Sequence, residues 1–135
     1  MELKHKHSPH LCHEITGLHI EGAGTVTPFY KNVCPAGQYY RVKNIRVNST
    51  GGLVFDLKDT IDTAFEQIYC YSATGGFLNA GWTNTKYGAW DHSTAIEISN
   101  SNFSSNKKVE PIVSIRAGQC IMRNTWFSNN EYTFD

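Results

Sequence analysis

The chain has 135 residues, with 12 basic and 12 acidic side chains, and hydrophobic residues fill 40% of its positions. This balance is typical of a folded domain and gives no support for nucleic acid as a partner. The longest apolar runs are only a few residues, so the sequence predicts no membrane insertion. Four scattered cysteines form no Cys-x-x-Cys pair, which favours neither a disulfide framework nor a zinc knuckle.

The first segment, residues 1–14, is predicted to be a partly flexible lead-in that lacks the apolar stretch of a signal peptide. It does carry side chains of the types that bind zinc, namely His5, His7, His10, Cys12 and His13. Flexible His-rich tails usually hold no physiological metal, and the second histidine of an HExxH motif is absent. We therefore expect no metal site and no cofactor.

From residue 15 onward, short segments repeat one pattern: apolar, polar, amide, any, any, apolar, polar, small polar. Clear copies begin at Val42, Phe65, Ile98 and Met122, and a weaker copy begins at Ile15. The pattern makes the following residues equivalent: Ile20, Val47, Cys70, Phe103 and Phe127. The steps between them are similar in length except for the step from Cys70 to Phe103, which is clearly the longest. A second column of short apolar segments follows the copies, with Gly51 and Gly75 at equivalent positions.

Each period therefore holds three short strands whose side chains alternate between inside and outside. The amide positions, Asn44, Gln67, Asn100 and Asn124, lie at a bend, where Asn tolerates a left-handed backbone and stacked amides can hydrogen-bond. The pattern predicts an all-β fold, a right-handed parallel β-helix of about four to five coils over residues 15–135 with an uncapped C-terminal end. An antiparallel sandwich is the alternative, which the lack of an Asn-Gly hairpin signal weakens.

The long step from Cys70 to Phe103 indicates an insertion near residues 81–93. Insertions in solenoids are loops on one face, often the binding face. Alternation along residues 53–58 directs Phe55 inward and directs Val54, Asp56 and Lys58 outward, beside the insertion. Aromatic rings stack on sugars and charged groups bind their hydroxyls or carboxylates, so this outer face is a predicted carbohydrate site. A solvated face with a self-packed loop is the alternative.

The predicted substrate-binding aromatics of the insertion are Trp82, Tyr87 and Trp90. The candidate catalytic residues are Asp56, Lys58, Asp91, His92 and Arg116. Two reaction schemes stay open. A glycosidase would use a pair of carboxylates, with Asp59 as a further candidate, whereas a uronate lyase would use a base such as Lys58, His92 or Arg116.

A second outer column takes one residue from each copy: His19, Arg46, Tyr69, Asn102 and Trp126. Beside it runs a parallel column: Glu21, Asn48, Tyr71, Ser104 and Ser128. This strip fits either a sugar track, with Tyr69 and Trp126 as substrate-binding residues, or a trimer interface. The enrichment of Tyr, Trp and Arg at protein contacts slightly favours the interface.

The asparagine-cornered coils over residues 15–135 resemble the pectate-lyase-like β-helix superfamily, and within it the β-helix body of bacteriophage tailspikes. The resemblance implies a fragment of a homotrimer in the virion tail that recognises, and in the complete protein depolymerises, a bacterial capsular or O-antigen polysaccharide. No catalytic motif of the family matches residue by residue, so activity as a lyase or a hydrolase stays open. The alternative is a non-catalytic carbohydrate-binding or structural segment, and the alternative location is secreted or at the cell surface. A third interpretation, a secreted pectate-lyase-type enzyme, is weakened by the missing signal peptide and the missing acidic residues of a calcium site.

Overall fold

The structure, a computed structural model, describes residues 2–3, 13–22, 28–32, 37–57, 60–80, 94–106, 111–115 and 119–131. Within these ranges the chain is all-β and contains no helix. The strands, in chain order, are β1 (Glu2–Leu3), β2 (His13–Gly22), β3 (Tyr30–Asn32), β4 (Gly37–Gln38), β5 (Tyr40–Thr50), β6 (Phe55–Asp56), β7 (Thr60–Ala73), β8 (Leu78–Ala80), β9 (Thr94–Ser99), β10 (Asn102–Ser104), β11 (Val113–Ile115), β12 (Cys120–Arg123) and β13 (Trp126–Ser128). The lead-in before residue 13 and the predicted insertion near residues 81–93 lie almost wholly outside the described residues.

The described strands form two sheets in which every pairing is parallel. A five-stranded sheet has the order β1-β3-β6-β8-β11, and the remaining strands form an eight-stranded sheet. The chain visits the two sheets in turn and moves one strand along each time. Strand β7 is long enough to pair with β9 through its first half and with β10 through its second half. Over the part of the chain that the structure describes, no helix is long and apolar enough to cross a membrane.

The register of the eight-stranded sheet follows the predicted repeat. Ile20 pairs with Val47, Val47 with Cys70, Cys70 with Phe103, and Phe103 with Phe127. The first four of these side chains are buried and Phe127 is partly buried, which confirms the predicted interior column. Because a one-residue slip would turn every side chain of a strand to the other face, agreement along the whole column also fixes the outward residues.

Three columns of residues with positive φ mark the bends of the eight-stranded sheet. The first column contains the predicted amides, with Asn44, Gln67, Asn100 and Asn124 at φ values of 55, 55, 49 and 48°. The others are formed by Tyr39, Asp62 and Ala95, and by Ser49, Ser72, Ser105 and Asn129. Asn124 also donates a hydrogen bond from Nδ2 to Oδ1 of Asn100 at 2.8 Å, so one step of the predicted amide stacking is present.

A continuous series of ring contacts runs through the interior between the sheets. The ring centroids of Phe55 and Phe77 are 5.4 Å apart, and those of Phe77 and Phe103 are 5.2 Å apart. Phe103 stacks on Phe127 with a centroid distance of 5.0 Å. All but the last of these rings are fully buried. Because aromatic side chains bury large apolar areas and gain further from specific ring geometry, this series stabilises the core.

The prediction for residues 51–57 was wrong in two respects. Equating Gly51 with Gly75 pairs Phe55 with Asn79, but the observed partner of Phe55 is Leu78, one position earlier in the chain. Val54 was expected to point outward, but residues 51–54 bend rather than form a strand, and its side chain is buried. The bend brings Gly75 so close to Gly52 that a Cβ on Gly75 would lie 2.2 Å from the carbonyl carbon of Gly52.

Candidate functional site

Three aromatic side chains stand on the outer surface of the eight-stranded sheet. Tyr69 is 60% exposed, Tyr71 53% and Trp126 58%. Side chains alternate between the two faces of a strand, so the residue between the two tyrosines, Cys70, is buried in the core. Together with Arg46, which pairs with Tyr69 in the register of β5 and β7, we call these residues the aromatic face.

Polar side chains on the neighbouring strands lie beside the rings of the aromatic face. In the register, Tyr69 lies between Arg46 and Asn102, and Asn102 in turn pairs with Trp126. Tyr71 lies between Asn48 and Ser104. Neighbouring strands are about 4.8 Å apart, so Tyr69 and Trp126 stand about 10 Å apart along the sheet. The face therefore offers flat apolar surfaces alternating with hydrogen-bonding groups.

The backbone behind the aromatic face is held on both sides of Trp126. The amide of Trp126 donates to the carbonyl oxygen of Ser101 at 2.9 Å, and Thr125 Oγ1 donates to the carbonyl oxygen of Arg123 at 2.9 Å. Phe127, the next residue, stacks on Phe103. Because a binding site on regular strands is held more rigidly than one on loops, these contacts favour the aromatic face as a binding surface.

Asp56, a predicted catalytic residue, does not lie on an open face. It belongs to the five-stranded sheet, its side chain is only 7% exposed, and Oδ1 accepts a hydrogen bond from Asn79 Nδ2 at 3.0 Å. Alternation directed it away from Phe55 correctly, but the expectation of an exposed carboxylate was wrong because its surroundings cover that side of β6. Asp56 is thus a buried, hydrogen-bonded carboxylate in the described structure.

A groove of about 660 Å³ lies at another bend of the eight-stranded sheet. It is lined by Arg41, Asp62, Thr63, Ala64, Ala95, Ile96, Glu97, Gln119, Cys120 and Ile121. Two of its charged groups already have partners within the protein. Arg41 Nη1 donates to the carbonyl oxygen of Tyr40 at 3.0 Å, and Glu97 forms an ion pair with Arg123. Since these charged groups are already engaged within the protein, the aromatic face is the stronger candidate site.

Neither cysteine that the structure describes is activated as a nucleophile. Burial raises the pKa of the Cys70 thiol far above its usual range and also raises the pKa of Cys120. Both thiols are free, and a raised pKa disfavours the reactive thiolate. In the described ranges, no group of three or more His, Cys, Asp or Glu side chains could hold a metal ion. The zinc-type side chains of the N-terminal segment are not among the side chains described.

Of the predicted site residues, the structure brings together Tyr69 and Trp126 and leaves Asp56 on the other sheet. The remaining predicted residues lie outside the described residues: Lys58, Asp59, Trp82, Tyr87, Trp90, Asp91, His92 and Arg116. Their proposed grouping around the insertion stays a prediction.

Sequence reasoning missed Asn106, an almost fully buried amide behind the aromatic face. Its Oδ1 accepts from the Ala73 amide at 2.7 Å, and its Nδ2 donates to Asn130 Oδ1 at 2.7 Å. Asn130 Nδ2 in turn donates to the carbonyl oxygen of Phe103 at 2.9 Å. Asn106 and Asn130 each follow the small polar end of a repeat copy, a signal that could have revealed this second amide ladder.

Comparison with curated proteins finds a relative of this chain in Erwinia amylovora, the amylovoran biosynthesis protein AmsF. The two sequences are 36% identical over 126 residues, which cover 90% of this chain. The chain spans 17% of that relative's length. No family model matches the chain, and no solved structure matches it significantly.

Proposed function

We propose that the chain is a segment of right-handed parallel β-helix that binds polysaccharide through the aromatic face. Three properties support the β-helix. All described pairings are parallel, the chain alternates between two sheets while advancing in one direction, and residues of positive φ recur in three columns. The right hand follows from the strong preference of parallel crossover connections for that hand.

Polysaccharide binding is supported above all by one observation, the exposure of Tyr69, Tyr71 and Trp126 on strands of known register. Large exposed aromatic side chains mark interaction surfaces because water solvates their faces poorly. The rings alternate with Arg46, Asn48, Asn102 and Ser104, which can hydrogen-bond to hydroxyl groups. The aromatic rings of Tyr69 and Trp126 stand about 10 Å apart, so a polysaccharide lying along the column would contact them with two different sugar units.

The name of the matched relative refers to amylovoran biosynthesis, so amylovoran is one ligand to test for this chain. The tailspike resemblance gives a wider form of the proposal, in which a homotrimer recognises a bacterial capsular or O-antigen polysaccharide and the complete protein depolymerises it. Among the candidate catalytic side chains, the one that the structure describes, Asp56, is buried and hydrogen-bonded to Asn79.

A subunit interface is the second candidate for the same surface, because aromatic residues and Arg are enriched at protein contacts. Ile121, 56% exposed on β12, adds apolar area outside the aromatic face. Ser104, which lies beside Tyr71 in the register, argues against it, since serine is depleted at such interfaces. Light scattering separates the two: a trimer that Tyr69→Ala dissociates would support the interface.

The proposal is tested by affinity electrophoresis through gels that contain purified capsular polysaccharides or amylovoran. We expect at least one polymer to retard the protein and Tyr69→Ala to lose most of that retardation, because the substitution removes a stacking surface. Ile121→Ala is the matched control, since it removes a similarly exposed apolar side chain elsewhere and should keep the retardation. If no polymer retards the protein, or if both variants behave alike, the proposal is wrong.

A further inference from the structure

Arg46 stands out among the cations on the outer surface of the eight-stranded sheet. Lys43, on the same strand, forms an ion pair with Glu66, with Nζ 3.5 Å from Oε2, and Arg123 forms an ion pair with Glu97. Arg41 donates to backbone carbonyl oxygens. Arg46 is exposed, and within the described part of the chain its guanidinium makes no hydrogen bond or ion pair.

The neighbours of Arg46 do not supply the missing anion. In the register it lies between His19 and Tyr69, neither of which carries a negative charge at neutral pH. Glu21, on the strand next to that of Arg46, pairs with Asn48 in the register, and its Oε1 lies 3.1 Å from His19 Nε2. A guanidinium that is free on a binding surface presents several donors in a planar fork that fits a carboxylate.

We propose that the aromatic face binds a polysaccharide containing uronic acid residues, with the sugar ring on Tyr69 and its carboxylate on Arg46. This inference rests on the proposed function. The two side chains lie on neighbouring strands about 4.8 Å apart, a separation that one sugar residue with a carboxylate on its ring can span. The charge-assisted contact selects acidic polymers, and the ring contact alone would accept neutral ones.

The test uses paired ligands, each uronic acid polysaccharide that retards the protein and the same polymer after chemical reduction of its carboxyl groups. We expect the native polymer to bind at least about tenfold more tightly than the reduced polymer, as a charge-assisted hydrogen bond implies. Arg46→Gln should remove this preference, because it weakens binding of the native polymer more than binding of the reduced polymer. Arg46→Lys should restore it only in part, since an ammonium cannot reproduce the planar fork.

Lys43→Gln is the matched control, because it removes the same charge from the same strand at a residue that already has an ion-pair partner. It should keep the preference for the native polymer. Equal binding of native and reduced polymers, or a preference that survives Arg46→Gln, would overturn the inference and leave polysaccharide binding standing. If the unmodified protein binds neither form of any polymer, the proposed function fails and the inference fails with it.

Discussion

The outer surfaces of the two sheets differ although both carry residues that alternate with a buried column. On the eight-stranded sheet, Tyr69 points away from the core and is 60% exposed. On the five-stranded sheet, Asp56 also points away from Phe55 but is only 7% exposed and holds Asn79 through a hydrogen bond. Alternation thus assigns the direction of a side chain, while exposure depends on whatever covers that face.

The largest effect is expected for Phe103→Ala, on the inner side of the eight-stranded sheet. The substitution removes a ring that contacts both Phe77 and Phe127. The substitution should lower the free energy of unfolding by about 3–5 kcal/mol, the usual range for truncating a buried Phe. Urea unfolding followed by circular dichroism measures it. A loss below about 1 kcal/mol would mean that the aromatic series is not a continuous core.

Asn106→Ala should have the next largest effect. It leaves the Ala73 amide without its acceptor and removes one of the two donors to Asn130 Oδ1, and a buried polar group left unsatisfied costs about 1–3 kcal/mol. The same unfolding measurement applies. Asn106→Asp is the informative control, because it keeps the acceptor for Ala73 but loses the donor to Asn130. Equal stability of all three proteins would show that the ladder does not stabilise the fold.

Asp56→Ala tests the covered face. The substitution removes the acceptor for Asn79 Nδ2 and should lower the free energy of unfolding by about 1–3 kcal/mol, with a smaller change for Asp56→Asn, which retains an oxygen acceptor. Polysaccharide binding per folded molecule should not change. Should Asp56→Asn abolish binding or polymer cleavage at full stability, Asp56 would be the functional residue first predicted, and the contrast between the two surfaces would fail.

Sequence reasoning succeeded where one pattern constrained both faces of a strand. The amides at Asn44 and Asn100 mark the bends, and the alternation that follows each of them gave the interior column and the register of Tyr69 and Trp126. An error of one position in the glycine-rich bend gave Phe55 the wrong partner but did not change the direction of Asp56. The exposure predicted for Asp56 was wrong because its burial depends on surroundings that no local pattern describes.

Asn106 was missed for a different reason. Its partners, Ala73 and Asn130, come from the neighbouring periods on either side, so its role is visible only when three periods are superimposed. The repeat pattern ended just before it. The outward direction of Tyr69 and Trp126, by contrast, could be predicted from alternation alone.

The most direct test of the contrast between the two surfaces is calorimetric titration of the Trp126→Ala variant. The ligand is the polysaccharide that binds the unmodified protein best, and the free energy of unfolding of the variant is measured in parallel. If the aromatic face is the binding site, affinity falls about tenfold, since a ring contact is lost. The free energy of unfolding then changes by less than about 0.5 kcal/mol, as for other exposed positions. Unchanged affinity combined with a large loss of stability would contradict the account.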